Sequence, residues 1–348
     1  MTALAPSDGA RWIAADRRGR ARRRQLILGV LLLLVALGFA LSLMVGQSFV
    51  PPALVLEVLR GHDLPGVSFT VAELRLPRAT LAVLSGLCFG LAGSAFQILL
   101  RNPLASPDII GISSGASAAA VFAIVVLSLD GRMVQILAVV AGLGVALAIF
   151  LLSARGQAAG TRFILVGIGV SAMLNSAVAY ILSSAPAWSL QEAMRWLTGS
   201  LNGAQLDQSA PLLVALAVFG GLLLSRARDL EAIRMGDDSA AALGVRVGWT
   251  RITVILSAVA LIACATAITG PIAFVAFLSG PIAARLLGQN GSTLIPAALI
   301  GALLVLAGDF AGQNLLPGRY PVGVVTGALG APYLIYLIIR VNRGGGSV

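Results

Sequence analysis

Long uncharged, apolar runs recur along this 348-residue chain, each closed by a short polar segment. A helix that crosses a bilayer needs about 20 such residues. Runs of that size fall near 26–46, 79–100, 109–129, 133–154, 163–184, 209–225, 252–270, 272–288, 293–313 and 321–339. The seventh and eighth come from one stretch without charge between Arg251 and Arg285. Thr269-Gly270-Pro271 divides it, because adjacent glycine and proline interrupt a helix. The pattern predicts an all-α, polytopic membrane protein with about ten transmembrane helices.

Three polar connections are long enough to hold structure of their own. Gln47–Arg75 contains Pro51-Pro52 followed by ALVLEVLRG, which predicts a short interfacial helix. Ala185–Asp207 carries Trp188 and Trp196 at the level where tryptophan is favoured. The third, Arg226–Arg251, holds nine of the 38 charged residues between two uncharged runs. Its centre, GDDSAAALGV (236–245), predicts a short helix outside the membrane: Asp237 and Asp238 suit a helix N-terminus, and Gly244 suits its C-terminal stop. Such a helix offers a surface to a cytosolic partner.

Composition agrees with the pattern: 58% of residues are hydrophobic, 11% are charged, and there are 40 glycines, usual where transmembrane helices pack closely. All 24 basic residues are arginine, which excludes a P-loop lysine or Schiff-base chemistry. One histidine (His62) leaves no histidine metal site or triad. Cys88 and Cys264 both fall inside apolar runs, so no disulfide framework is expected. The net charge of +10 reads as membrane topology rather than nucleic-acid binding. With the N-terminus in the cytosol, only Arg60, Arg75, Arg78, Arg132, Arg195 and Arg319 fall outside, and the other 18 fall inside. Both termini are therefore expected in the cytosol. The arginine-rich residues 1–25 precede an apolar run too long for a signal peptide, so a retained first span is expected. A single transmembrane domain over 26–340 and a short tail over 341–348 complete the expected division.

No Asp, Glu, Arg or His lies well inside a predicted span; Arg285 and Asp309 stand towards span ends. Ion-coupled carriers ordinarily hold an ionisable group within the membrane. Its absence counts against a secondary transporter or channel, which stays as the alternative reading. An intramembrane enzyme lacks any nucleophile–base pair. Neutral polar residues do occur in spans: Gln97, Ser113, Ser114, Ser117, Asn175, Ser176, Thr266 and Asn314. They fit first of all hydrogen bonding between helices; the sharper reading is a pathway for a bulky polar cargo. The small-xxx-small pairs Gly86/Gly90, Gly111/Gly115 and Gly323/Gly327 read as tight packing, and Gly167-Ile168-Gly169 lies too deep in a span for a dinucleotide loop.

Several stretches together resemble the FecCD-type permeases, membrane subunits of ABC importers for iron–siderophores, haem and cobalamin. Arg75-Leu76-Pro77-Arg78 is similar to the family's R-x-P-R motif. SGLCFGLAGSAFQILLRNPLASPDIIGISSGA (85–116) follows its Gln-x-x-x-x-Asn-Pro-Leu-Ala-x-Pro and Gly-x-x-x-Gly-Ala pattern. Trp196-Leu197-Thr198-Gly199-Ser200, Gly270-Pro271-Ile272-Ala273-Phe274-Val275 and PVGVVTGALGAPYLIYLI (321–338) are further matches.

The resemblance implies the type II ABC importer permease fold, in a bacterial cytoplasmic membrane. It implies four kinds of partner: a second permease, identical or homologous, two cytosolic ATPase subunits, an extracytoplasmic substrate-binding protein, and lipid, with no nucleic acid. The chain would not be an enzyme, would bind no cofactor itself, and would leave ATP to the ATPase. The coupling segment that docks on that ATPase would be Gly236, Asp237, Asp238, Ala241, Leu243, Gly244 and Val245. Arg75 and Arg78 would pair with glutamates of the binding protein. The sequence departs from the family at Pro281-Ile282-Ala283-Ala284-Arg285 and at Gln313, where members carry an arginine after the ninth-span aspartate; Arg319 is the candidate replacement. Asn175 and Ser176 of the fifth span are pathway candidates. A ferric siderophore is the first cargo expected, with haem and cobalamin behind.

Overall fold

A computed structural model of the chain describes residues 8–106, 111–153, 159–288 and 291–344. The described residues form fifteen α-helices, with short π and 3-10 turns and no strand. In chain order they are α1 (Asp8–Met44), α2 (Pro52–Leu59), α3 (Leu76–Leu99), α4 (Ile112–Val125), α5 (Gly131–Ser153), α6 (Ala159–Ser183), α7 (Ala187–Leu197), α8 (Ser209–Ala215), α9 (Gly221–Ser225), α10 (Ala227–Arg234), α11 (Asp237–Ala242), α12 (Val247–Thr269), α13 (Val275–Leu287), α14 (Leu294–Asn314) and α15 (Val322–Gly344). Seven helical stretches are long and apolar enough to cross a membrane. Three shorter apolar helices, at 112–125, 275–287 and 322–337, stand where the remaining expected spans fall.

The second span begins earlier than its uncharged run. A π turn over Phe69–Arg75 leads straight into α3, so one apolar stretch of 31 residues includes Glu73, Arg75 and Arg78. The arginine-rich start and the first span likewise form one helix, α1, with no break near residue 25. The interfacial helix expected over ALVLEVLRG is α2, and α12 ends at Thr269 because Gly270 turns to φ +70° and Pro271 follows. The spans expected at 109–129 and 272–288 are short helices of 14 and 13 residues. Each is entered through a left-handed residue, Gly111 and Phe274 respectively.

Helix α3 is the axis of the bundle. Of its most apolar window 83% is buried, against 11% for that of α6. Small residues let α14 close on it: a Cβ on Gly90 would lie 2.2 Å from the Ala297 carbonyl oxygen, and one on Gly301 2.1 Å from that of Gly86. The Gly86/Gly90 pair is therefore a packing seam. Around it Phe89, Phe96, Leu261 and Ile262 fill the main core. By contrast α6 leaves Leu165, Ile168, Met173 and Tyr180 exposed, a face suited to lipid or another apolar surface.

Candidate functional site

The motif stretches that lie far apart in sequence meet in space. Ser200 donates to Thr269 (2.7 Å) and Gly323 to Gly199 (3.0 Å) through backbone amides. A Cβ on Gly270 would lie 2.3 Å from the Trp196 carbonyl oxygen, and one on Gly323 1.9 Å from that of Thr198. The segments 196–200, 270–275 and the start of α15 thus interlock backbone to backbone, which only small residues permit. Pro107–Ile110 of the 85–116 stretch lie outside the described residues.

Beside this junction lies one polar end of the bundle. Arg78 grips Asp309 in a bidentate pair, Nε to Oδ2 and Nη2 to Oδ1, both 2.7 Å, and its Nη1 donates to Asn202 Oδ1 at 2.7 Å. That fork joins α3 to α14 and to the connection after α7. Arg75 turns its guanidinium back on the end of α1, donating to the carbonyl oxygens of Leu43 (3.0 Å), Met44 (2.8 Å) and Ser48 (2.7 Å). Carbonyls at a helix C-terminus have no intrahelical partner, and a cation satisfies them well. Both arginines expected to reach for another protein are thus engaged within the chain. They line a cavity of about 400 Å³ together with Glu73, Gln313 and Arg319. Gln313 donates to the Tyr320 carbonyl oxygen at 3.3 Å, and Arg319 is exposed at this end.

The opposite polar end holds the charged loop. Helix α10 is packed on α3, with Leu230 in the main core. Gly236, at φ +115°, then redirects the chain into α11, the short helix expected at 236–245, with Asp237 and Asp238 in its first turn and Gly244 at φ +86° after it. Ala240 is fully buried against Ala232 and Ile233, with Val245 packed on them. Ala241, Leu243 and Gly244 are exposed, Leu243 at 66%. Met235, just before the helix, is also an exposed apolar side chain.

Asp237 is the hub of this end. Its Oδ1 accepts from Arg101 (2.7 Å) and its Oδ2 from Arg251 (3.0 Å). Arg101 stands just past α3, where Asn102 N–H reaches Gln97 O and Arg101 N–H reaches Ile98 O, the double bond that closes a helix with a left-handed residue. Glycine is usual at that point; an arginine at φ +51° costs about 1 kcal/mol. Neither arginine was marked by the sequence as a partner of Asp237, nor Asp309 and Asn202 as partners of Arg78, since 14 to 231 residues separate them. The one local signal was an arginine directly after a long apolar helix.

Of the neutral polar residues, Gln97 bridges helices by donating to Phe277 O at 2.9 Å. Thr266 is fully buried with its hydroxyl unpartnered. Asn175 and Ser176 lie on the open face of α6, where Ser176 bonds back to Ala172 O at 2.9 Å. Gly167-Ile168-Gly169 is helical within α6.

The chain matches the model of the FecCD transport family over residues 32–340. It is 41% identical over 293 residues to the ferric enterobactin transport system permease protein FepG of Escherichia coli, covering 83% of this chain and 88% of that one. With the achromobactin transport system permease protein CbrC of Dickeya dadantii it shares 38% identity, over 89% and 90% of the two chains. A solved structure, described as an inward-facing conformation of a metal-chelate type ABC transporter, superposes with a TM-score of 0.81 at 26% identity, covering 91% of this chain and 99% of the other.

Proposed function

The chain belongs to the FecCD transport family, and on that premise we propose that it is the permease of an ABC importer that carries an iron(III)–siderophore complex across a bacterial cytoplasmic membrane. The observation that carries the reading is α11: a short helix with a buried Ala240 face, an exposed Leu243, a half-exposed Asp237 and an exposed Asp238, standing at one polar end of an apolar bundle. A helix so presented is suited to sit in a cleft of a cytosolic ATPase. The chain itself hydrolyses nothing and binds no cofactor; ATP acts on the partner.

In this reading the Asp237 end faces the cytosol, with both termini, and the Arg78 end faces outward. The residues Gly236, Asp237, Asp238, Ala241, Leu243, Gly244 and Val245 receive the ATPase movement. At the outer end the cavity lined by Arg75, Arg78 and Arg319, against Glu73 and Asp309, keeps an excess of positive charge for carboxylates of a substrate-binding protein. Arg319, exposed there, is the side chain free to reach one, in place of the arginine that Gln313 lacks. Charge pairs of this kind make docking salt-sensitive. The exposed face of α6, with Asn175 and Ser176, borders the pathway against a second permease subunit, and the cargo class follows the ferric siderophores named for the relatives.

Reconstitution in vesicles tests the reading. Uptake of a ferric siderophore should require the ATPase, ATP and the binding protein. Uptake that persists with no ATPase and no nucleotide would identify a secondary transporter or channel instead. Competition among ferric siderophores, haem and cobalamin would identify the cargo.

A further inference from the structure

A push on α11 can move the bundle only through whatever ties the two together. Its apolar ties run from Ala240 to Ala232 and Ile233 of α10, with Val245 and Val247, the first residue of α12, packed on the same cluster; none of these belongs to α3. Gly236 separates α11 from α10 with a backbone turn at φ +115°. The direct connection from this small helix to the axis of the bundle is polar: Asp237 holds Arg101 past the end of α3, and it also holds Arg251 near the start of α12. These two helices have the most deeply buried apolar windows, 83% and 72%. Arg101 is held in a left-handed conformation where glycine would close the helix without strain, and its side chain is spent on that carboxylate. Beside it a cavity of about 380 Å³, lined by Arg101, Asn102, Gly280, Pro281 and Ala284, leaves the end of α3 room to shift against α13.

We propose that Asp237 is the positioning residue of the coupling segment, a tether that locks α11 to α3 through Arg101 and to α12 through Arg251, so that displacement of α11 is delivered to the core helices. The proposal rests on the ABC permease reading above and names which contact transmits the movement. A backbone outlier with a functional tie is its physical signature: an arginine stands where a glycine would make the helix end more stable.

The test uses the complete importer in vesicles, reading cargo taken up per ATP hydrolysed, ATPase subunit retained on purification, and thermal stability of the permease. Arg101→Gly relieves the strained backbone and removes the tether. Its melting temperature should be no lower than the parent's, its retention of the ATPase intact, and its uptake per ATP at least fivefold lower. Asp237→Asn should lower that ratio similarly, the double variant no further than the worse single, and Asp237→Glu should recover at least half. Parent-like coupling in Arg101→Gly, or additive losses in the double variant, would overturn the tether. So would loss of ATPase retention in Asp237→Asn alone, which would assign Asp237 to the ATPase contact and leave the importer reading standing. Uptake without any ATPase would sink the importer reading itself.

Discussion

At one end of the bundle Arg78 and Asp309 keep only 21% and 11% of their side-chain exposure, and the pair joins helices 231 residues apart in sequence. At the other, Arg101, Asp237 and Arg251 keep 43%, 41% and 34%. The chemistry is the same, arginine on aspartate near 2.7–3.0 Å, but the surroundings differ. A desolvated, bidentate pair resists separation, because either partner left alone is an uncompensated buried charge. A half-exposed pair is screened by water and contributes little to folding stability, so its worth lies in where it holds α11 rather than in how far it stabilises the fold. One end is a fixed joint of the fold, the other a link that carries α11.

Breaking the fixed joint should have the largest effect. Asp309→Asn leaves Arg78 with only neutral partners, the new amide and Asn202, in place of a carboxylate. It should destabilise the purified permease by about 2–3 kcal/mol, below the cost for a fully buried pair because Arg78 keeps some exposure. Thermal unfolding in detergent reads this directly; a loss under about 0.5 kcal/mol would show the two ends to be energetically alike. Gly244→Val comes next. A β-branched residue at φ +86° should cost about 1–2 kcal/mol, and it distorts the end of α11, so uptake per ATP should fall more than stability does. Smallest is Asp237→Asn, which should shift stability by no more than about 1 kcal/mol, and by less at high salt, while Asp309→Asn keeps its effect there. An equal salt dependence at both ends would erase the distinction.

Much of the fold was legible beforehand because hydropathy is a local property. The apolar runs, the Gly270-Pro271 break, the helix after Pro51-Pro52 and the short helix at 237–242 each depend on residues within a turn or two. Two boundaries departed from that reading for physical reasons. The second span begins in charged sequence, since Arg75 and Arg78 find partners inside the protein and their charge no longer has to face water. The third and eighth spans are short because left-handed residues at Gly111 and Phe274 start their helices late, and the third also ends early, at Val125, with Ser128 left-handed just beyond it. The partners of Arg75 and Arg78 within the chain were the least legible: the α1 carbonyls and Asp309 that their guanidinium groups meet belong to chain that is distant in sequence.

By itself the sequence determined that this is an all-helical membrane protein of about ten apolar segments, with a polar loop whose centre is a capped short helix. Those properties follow from transfer free energies and helix-end chemistry, which act over a few residues. Tertiary structure alone decided that α3 is the axis, that the scattered motifs meet at one backbone junction, that Arg78 faces inward, and that Asp237 ties α11 to the end of α3. An ion pair or a glycine seam exists only once two distant helices are brought within a few ångströms, and no local pattern encodes which two will meet.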